Sequence, residues 1–192
     1  SKGHFTEVSR TDLIAGYQGQ TALKVKNVIE KAKGGVLFID EAYSITENDN
    51  TDSYGRECLT ELTKALEDSR DDLIVIVAGY TEPMNHFFES NPGLRSRFNY
   101  FINFENYSST ELIDILETLA RKDDYQLSDE LKERLSSYFT DELETKVENF
   151  SNGRFIRNLY EDLIMNQAVR LNNNKQYSSQ ELSLLKLEDF IS

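Results

Sequence analysis

The sequence predicts an α/β domain built on a parallel sheet, followed by a smaller α-helical domain. Two unbroken apolar runs, Val36–Ile39 and Leu73–Ala78, are typical of strands that lie inside a parallel sheet. Segments with apolar residues at helical spacing separate these runs, so strands and helices alternate in the first half of the chain. After Asn106 the pattern becomes nearly all helical, which places a domain boundary near residues 105 to 108.

The first domain is expected to span residues 1–106. Its strands are predicted at Phe5–Val8, Val36–Ile39, Leu73–Ala78 and Tyr100–Phe104, and its helices at Thr21–Lys33, Tyr54–Arg70 and Met84–Glu89. Because strand–helix–strand units close with right-handed crossovers, this order predicts helices on both faces of the sheet. We expect Val36–Ile39 to be a central strand, buried on both faces.

The second domain is expected to span residues 107–192. Helices are predicted at Ser108–Arg121, Ser128–Thr140 and Arg154–Leu171, with a late strand at Leu184–Leu187. The segment Ser108-Ser-Thr-Glu111 has the composition of a helix N-terminus.

Composition narrows the classes of function. The chain has 21 Lys and Arg against 34 Asp and Glu, a formal net charge of −13, and such a field repels nucleic acids. No stretch has the roughly 20 apolar residues needed to cross a bilayer, and the first ten residues have no signal-peptide pattern. The single cysteine, Cys58, is expected to be a buried core thiol in a reducing cytoplasm.

Asp40 and Glu41 follow the apolar run Val36–Ile39 directly. In a parallel sheet this puts two carboxylates at the carboxyl edge, where open α/β sheets bind ligands. In phosphoryl transfer an Asp at this place helps to hold Mg²⁺, and the following Glu can orient the attacking water. The alternative is a strand that merely ends in a solvated acidic turn.

The segment Gly34-Gly-Val-Leu-Phe-Ile-Asp-Glu-Ala-Tyr43 resembles the Walker B segment of AAA+ ATPases of the CbbX and stage V sporulation protein K type. Four further segments resemble the same family in the same order: Thr6–Lys24, Arg70–Leu73, Ala78–Tyr80 and Asn91–Phe98. The resemblance covers most of the chain up to about residue 171. It implies a partial AAA+ P-loop NTPase core followed by a helical lid domain, with ATP and Mg²⁺ as ligands.

The resemblance also implies roles for residues beyond the two acids. Tyr80 and Thr81 both remain open as sensor 1, the polar group that contacts the attacking water or the γ-phosphate, and Thr81 is favoured as a small hydroxyl donor. Arg97 is favoured as the arginine finger that reaches a neighbouring subunit's ATP, with Arg95 as its support; a basic surface turn is the alternative.

In the second domain, Asn152-Gly-Arg154-Phe-Ile-Arg157 resembles sensor 2, and Arg157 matches the phosphate-contacting position better than Arg154. The three-residue spacing sets both arginines on one helix face. A solvated helix start is the alternative. Tyr17, in Gly16-Tyr17-Gln18-Gly19, resembles the aromatic pore loop that grips a client peptide in a ring, although plain packing also explains a tyrosine in such a turn.

No segment has the P-loop pattern Gly-x4-Gly-Lys-Ser/Thr. In the family this loop precedes the segment that matches residues 1–10. The resemblance therefore implies that the sequence begins at Ser1 within a domain. We therefore expect this polypeptide alone to bind ATP weakly or not at all, and its exposed apolar edges to favour self-association.

The leading hypothesis is an ATP-hydrolysing protein-remodelling subunit of a ring, expected to be a hexamer, with an unidentified protein client and no membrane or nucleic-acid partner. The alternatives are a catalytically silent interaction scaffold and a DNA-associated AAA+ protein such as a helicase loader. Asp40, Glu41 and Arg97 argue against the scaffold, while the acidic balance and Tyr17 argue against the helicase loader.

Overall fold

The chain forms two units, Ser1–Asn103 and Phe104–Ser192. The computed structural model describes residues 3–17, 19–46, 53–145, 150–172 and 177–191. Gln18 of the predicted pore loop lies outside the described residues. No helix in the described part of the chain is long and apolar enough to cross a bilayer.

The first unit is built on a three-stranded parallel sheet. Its strands are β1 (Phe5–Val8), β2 (Val36–Ile39) and β3 (Ile74–Val77), and β2 lies in the centre. The strands are in register, so that Val8, Ile39 and Val77 form one row at the carboxyl edge. The predicted parallel sheet flanked by helices is therefore confirmed.

In the described residues of this unit, four helices accompany the sheet. They are α1 (Arg10–Leu13), α2 (Gln20–Ala32), α3 (Ser53–Asp68) and α4 (Thr81–Glu89), and short 3-10 turns cover Ala42–Ile45 and Arg95–Arg97. The apolar residues of α2 and α3 pack in one core with Leu37 and Ile39 of β2. Cys58 is buried in this core, as predicted.

The opposite face of the sheet is open in the described part of the chain. Its row of side chains runs through Phe5, Val36 and Ile74, and Ile74 is 61% exposed. Val36 and Phe38 of β2 are half-buried rather than buried. The expected helices on both faces of the sheet, and the expected burial of β2 on both faces, therefore hold for one face only of the described sheet.

The strand predicted at Tyr100–Phe104 is wrong. The segment has no regular secondary structure, and Tyr100 and Phe104 are 88% and 90% exposed. A strand needs a neighbour to pair with, and β3 is the last strand of the described sheet, bonded only to β2. The local apolar pattern was therefore not sufficient to predict a strand, because it does not show whether a neighbouring strand is available.

The second unit is mainly helical. Its helices are α5 (Ser109–Lys122), α6 (Asp129–Thr145), α7 (Gly153–Asn172) and α8 (Ser179–Ser183). Two short strands, β4 (Gln126–Leu127) and β5 (Leu184–Leu185), pair in parallel. The late strand is thus shorter than predicted, because the chain turns into a 3-10 segment at Leu187–Asp189.

Candidate functional site

The carboxyl edge of the first unit's sheet carries a cleft with an acidic lining. Its volume is about 310 Å³, and its walls are Glu7, Val8, Ser9, Asp12, Asp40 and Glu41. Asp40 and Glu41 lie there because β2 ends at Ile39, in the same row as the ends of β1 and β3. The side chains of both acids are exposed to solvent.

The backbone at Glu41 has a left-handed conformation, with φ 48° and ψ 45°. This conformation costs a residue with a Cβ about 1 kcal/mol or more, so the surrounding structure has to enforce it. Two contacts do so: the Glu41 amide donates to Asp40 Oδ1 at 3.0 Å, and the Ala42 amide donates to the Ala78 carbonyl at 3.0 Å. The turn fixes where the Glu41 side chain leaves the sheet edge.

Sequence reasoning missed Glu7 and Asp12 as cleft residues. Asp12 accepts hydrogen bonds from the backbone amide and the hydroxyl of Ser9, both at 2.9 Å. These bonds, the backbone one first, lower the pKa of the Asp12 carboxyl. The Ser9-x-x-Asp12 pattern at the start of α1 was the available signal, while nothing local identified Glu7.

Tyr80 and Thr81 lie where β3 passes into α4. Tyr80 is the N-cap residue of α4, and its ring contacts Tyr43 at a centroid distance of 6.3 Å. Thr81 is the first helical residue, exposed, and its hydroxyl has no partner among the described residues. Gly79 is needed before them, since a Cβ there would come within 2.7 Å of the Tyr43 ring.

Arg95 and Arg97 share one 3-10 turn but have different surroundings. Arg97 Nη1 donates to the Gly93 carbonyl at 2.6 Å, and its Nε lies 3.5 Å from Glu67 Oε2. Arg95 is exposed and stacks on aromatic rings, with Cζ 4.9 Å from the Phe101 centroid. Arg97 is therefore bound within its own unit, whereas Arg95 forms no ion pair with the described residues.

Arg154 and Arg157 lie in the first turns of α7 in the second unit. Both are exposed, and neither forms an ion pair with the described residues. The N-terminus of a helix carries partial positive charge, so cations near it are unfavourable unless an anion is bound nearby. This placement suits contact with phosphate.

Tyr17 is 73% exposed in the turn before α2. Gly19, the N-cap of α2, has φ 80°, a conformation that favours glycine. The exposure argues against plain packing as the reason for a tyrosine at this position.

The cleft suits a cation better than a bare phosphate. All its ionisable wall residues are acids, and carboxylate oxygens are the ligands that Mg²⁺ prefers. A phosphate group alone would be repelled by these carboxylates. Among the described residues, however, no group of three or more acids, histidines or cysteines could hold a metal ion by itself, and this cleft supplies no cradle for phosphates.

Family comparison agrees with both units. Residues 1–106 match the model of the ATPase family associated with various cellular activities (AAA), and residues 108–192 match the AAA lid domain. The chain belongs to the AAA family. The family models meet between residues 106 and 108, close to the division between the two units.

Individual relatives place this AAA chain in the branch that its sequence resembles. Over 190 residues it is 43% identical to stage V sporulation protein K of Bacillus subtilis (strain 168), a match that covers 98% of this chain. It is 44% identical to the protein CbbX of Cereibacter sphaeroides over 170 residues, or 88% of the chain. The chain spans 59% of the first relative and 54% of the second, so both are considerably longer.

Solved structures agree on the AAA fold. The FIGL-1 AAA domain matches with a TM-score of 0.65 over 95% of this chain and 58% of its own, at 18% identity. A second structure of that domain, in complex with ADP, matches with a TM-score of 0.63 at 17% identity. At such identities the likeness concerns the fold alone.

Proposed function

We propose that this chain is part of an ATP-hydrolysing protein-remodelling subunit. The observation that carries the proposal is the Asp40–Glu41 pair, exposed at the carboxyl edge of a parallel sheet. Membership of the AAA family, together with relatives such as CbbX, supports this chemistry over a silent scaffold.

Each residue of the pair has a separate task in the proposal. Asp40 would hold the Mg²⁺ that accompanies ATP, and such an ion would supply positive charge against the phosphates. Glu41 orients the attacking water and accepts its proton. The left-handed backbone at Glu41 supports this division, because it holds the residue after the strand end in one defined conformation.

The remaining residues assist from other elements. The hydroxyl of Thr81, or of Tyr80, donates a hydrogen bond to the attacking water or to the γ-phosphate. Arg157, with Arg154 beside it, contacts phosphate from the lid. Although the sequence resemblance favours Arg97 as the finger, we assign this function to Arg95, since Arg95 is exposed while the Arg97 guanidinium donates to the Gly93 carbonyl of its own unit.

The finger assignment implies a ring, and we propose a homo-oligomer, most simply a hexamer. In such a ring an arginine of one subunit completes the site of the next. Tyr17 supports a peptide client, since an exposed tyrosine between glycines suits gripping of an extended chain in a channel. The client itself is a protein of unknown identity.

The 192 residues contain no P-loop motif, and the acidic cleft holds no basic wall residue. We propose that this polypeptide by itself binds ATP weakly and does not hydrolyse it. Calorimetry that shows binding in the micromolar range or tighter would contradict this.

The test of the function uses the complete gene product. Glu41→Gln removes the base but keeps shape and hydrogen bonding, so we expect turnover to fall about 100-fold or more while ATP binding persists. Glu89→Gln, an exposed glutamate at the end of α4, is the matched control and should leave turnover unchanged. Turnover retained in Glu41→Gln would reject the proposal, and an inactive wild type would favour the scaffold.

A further inference from the structure

Asn152 is the centre of a hydrogen-bond cluster at the start of α7. Its Oδ1 accepts from the Tyr107 amide at 2.9 Å. Its Nδ2 donates to Asn106 Oδ1 at 2.8 Å and to the Phe150 carbonyl at 3.0 Å. Its own carbonyl accepts from the Ile156 amide at 3.1 Å, within the first turn of the helix.

Few residue types satisfy this position. The backbone has φ 44°, a left-handed conformation that Asn and Gly tolerate best. The side chain donates and accepts at once, which an aspartate cannot do because its ionised carboxylate only accepts. Glycine would adopt the backbone conformation but would leave the Tyr107 amide without its partner.

The two ends of this cluster have different places in the chain. Asn106 and Tyr107 belong to the segment by which the chain enters the second unit, three to four residues after Asn103. Asn152 directly precedes α7, whose first turns carry Arg154 and Arg157. One side chain thus joins the entry segment to the helix with the candidate phosphate-binding arginines.

We propose that Asn152 is a positioning residue that couples the start of α7 to the entry segment at Asn106–Tyr107. When Arg154 or Arg157 contacts a phosphate, the resulting shift of α7 is passed through the Asn152 amide to the backbone of the entry segment at Asn106–Tyr107. The coupling rests on the proposed ATPase function. The cluster itself does not depend on that function, because it lies wholly within the second unit.

The first experiment measures amide hydrogen exchange at Tyr107 in this chain without nucleotide. Asn152→Gly keeps the backbone conformation and removes all three side-chain bonds, so exchange at Tyr107 should become about fivefold to tenfold faster, the effect of one hydrogen bond. Asn152→Asp retains the acceptor and should keep Tyr107 protected. Asn172→Asp, an exposed asparagine at the far end of α7, is the control. Unchanged exchange at Tyr107 in Asn152→Gly would show that the Asn152 side chain does not protect the Tyr107 amide, and would reject the proposal.

The second experiment tests coupling in the complete gene product. A nonhydrolysable ATP analogue should change exchange of the 104–108 segment in the wild type and in Asn172→Asp, but not in Asn152→Gly. We also expect kcat to fall about tenfold in Asn152→Gly, within the usual range of coupling between sites. In an Arg157→Ala background the same change should have little further effect, whereas a purely structural role would give additive losses.

The outcomes separate the two proposals. A wild type that binds no nucleotide rejects the ATPase function and the coupling with it, while the Tyr107 exchange still decides whether the Asn152 cluster exists. A wild type that hydrolyses ATP, with the same nucleotide response in Asn152→Gly, rejects the coupling and leaves the function standing.

Discussion

Arg97 Nη1 donates to the carbonyl oxygen of Gly93 at 2.6 Å, four residues back along the chain. The Arg97 Nε also lies 3.5 Å from Glu67 Oε2, an ionic contact between a partly buried arginine and an exposed glutamate. Surface ion pairs contribute at most about 1 kcal/mol, and a hydrogen bond from a charged donor contributes about 1.5–3 kcal/mol. We predict that Arg97→Ala lowers the free energy of unfolding by about 1–2 kcal/mol, measured by urea denaturation.

Arg95→Ala is the matched comparison for that variant. Its guanidinium stacks on Phe101 and forms no ion pair with the described residues, so its removal should cost about 0.5–1 kcal/mol. In the complete gene product we expect Arg95→Ala to lower ATP turnover strongly while the unfolding free energy falls by no more than about 1 kcal/mol. Normal turnover in Arg95→Ala, together with lost turnover in a folded Arg97→Ala protein, would return the finger function to Arg97.

The left-handed backbone at Glu41 predicts that the glutamate needed for activity lowers the stability of the turn. Glycine relieves the strain at φ 48° that alanine retains, so Glu41→Gly should be about 1 kcal/mol more stable than Glu41→Ala. Both variants lack the carboxylate and should be equally inactive. Equal unfolding free energies would show that the turn relaxes at no cost when the side chain is shortened.

Local patterns in the sequence were enough for the sheet and the acidic pair. The runs Val36–Ile39 and Leu73–Ala78 contain only apolar residues and are short and bounded by Gly35 and Gly79, so their strand character and their shared carboxyl edge could be predicted from the sequence. Asp40 and Glu41 then came to that edge because they follow one of these strands without a gap.

Features that depend on partners remote in sequence could not be predicted in the same way. Tyr100–Phe104 has a strand-like composition but lies exposed, since no neighbouring strand is present among the described residues. The difference between Arg95 and Arg97 depends on Glu67, which lies on α3. The bonds of Asn152 likewise depend on residues 45 and 46 positions away.

Tyr80 and Thr81 can be separated by removing one hydroxyl from each. Tyr80→Phe keeps the ring contact with Tyr43 and loses only the oxygen, while Thr81→Val loses a hydroxyl at nearly constant volume. We predict that Thr81→Val lowers kcat about tenfold or more and that Tyr80→Phe changes it little, as measured by steady-state ATP hydrolysis of the complete gene product. The reverse order would identify Tyr80 as sensor 1.

The N-terminus of α5 predicts a dependence of stability on pH. Glu111 accepts hydrogen bonds from the backbone amide and from the hydroxyl of Ser108. These bonds, the backbone one first, lower the pKa of the Glu111 carboxyl below its ordinary value of 4.5. A carboxyl with a lowered folded-state pKa stabilises the fold above that ordinary value, and the contribution is lost as the pH falls through the folded pKa. The thermal midpoint should therefore drop below pH 4.5, and less steeply in Glu111→Gln, which cannot titrate.

The ion pair between Arg170 and Asp189 in the second unit predicts the largest loss of unfolding free energy on a single substitution. Asp189 is fully buried and accepts from Arg170 at 2.7 and 2.9 Å and from the Lys186 amide at 2.8 Å. Asp189→Asn leaves the Arg170 charge without its partner, which costs about 2–4 kcal/mol even though Arg170 is partly hydrated. Glu188→Gln, an exposed neighbour, should change the unfolding free energy by less than about 0.5 kcal/mol. Replacement of both partners, Arg170→Met with Asp189→Leu, should recover part of the loss, because most of the cost in the single variant comes from an unpaired charge rather than from missing attraction.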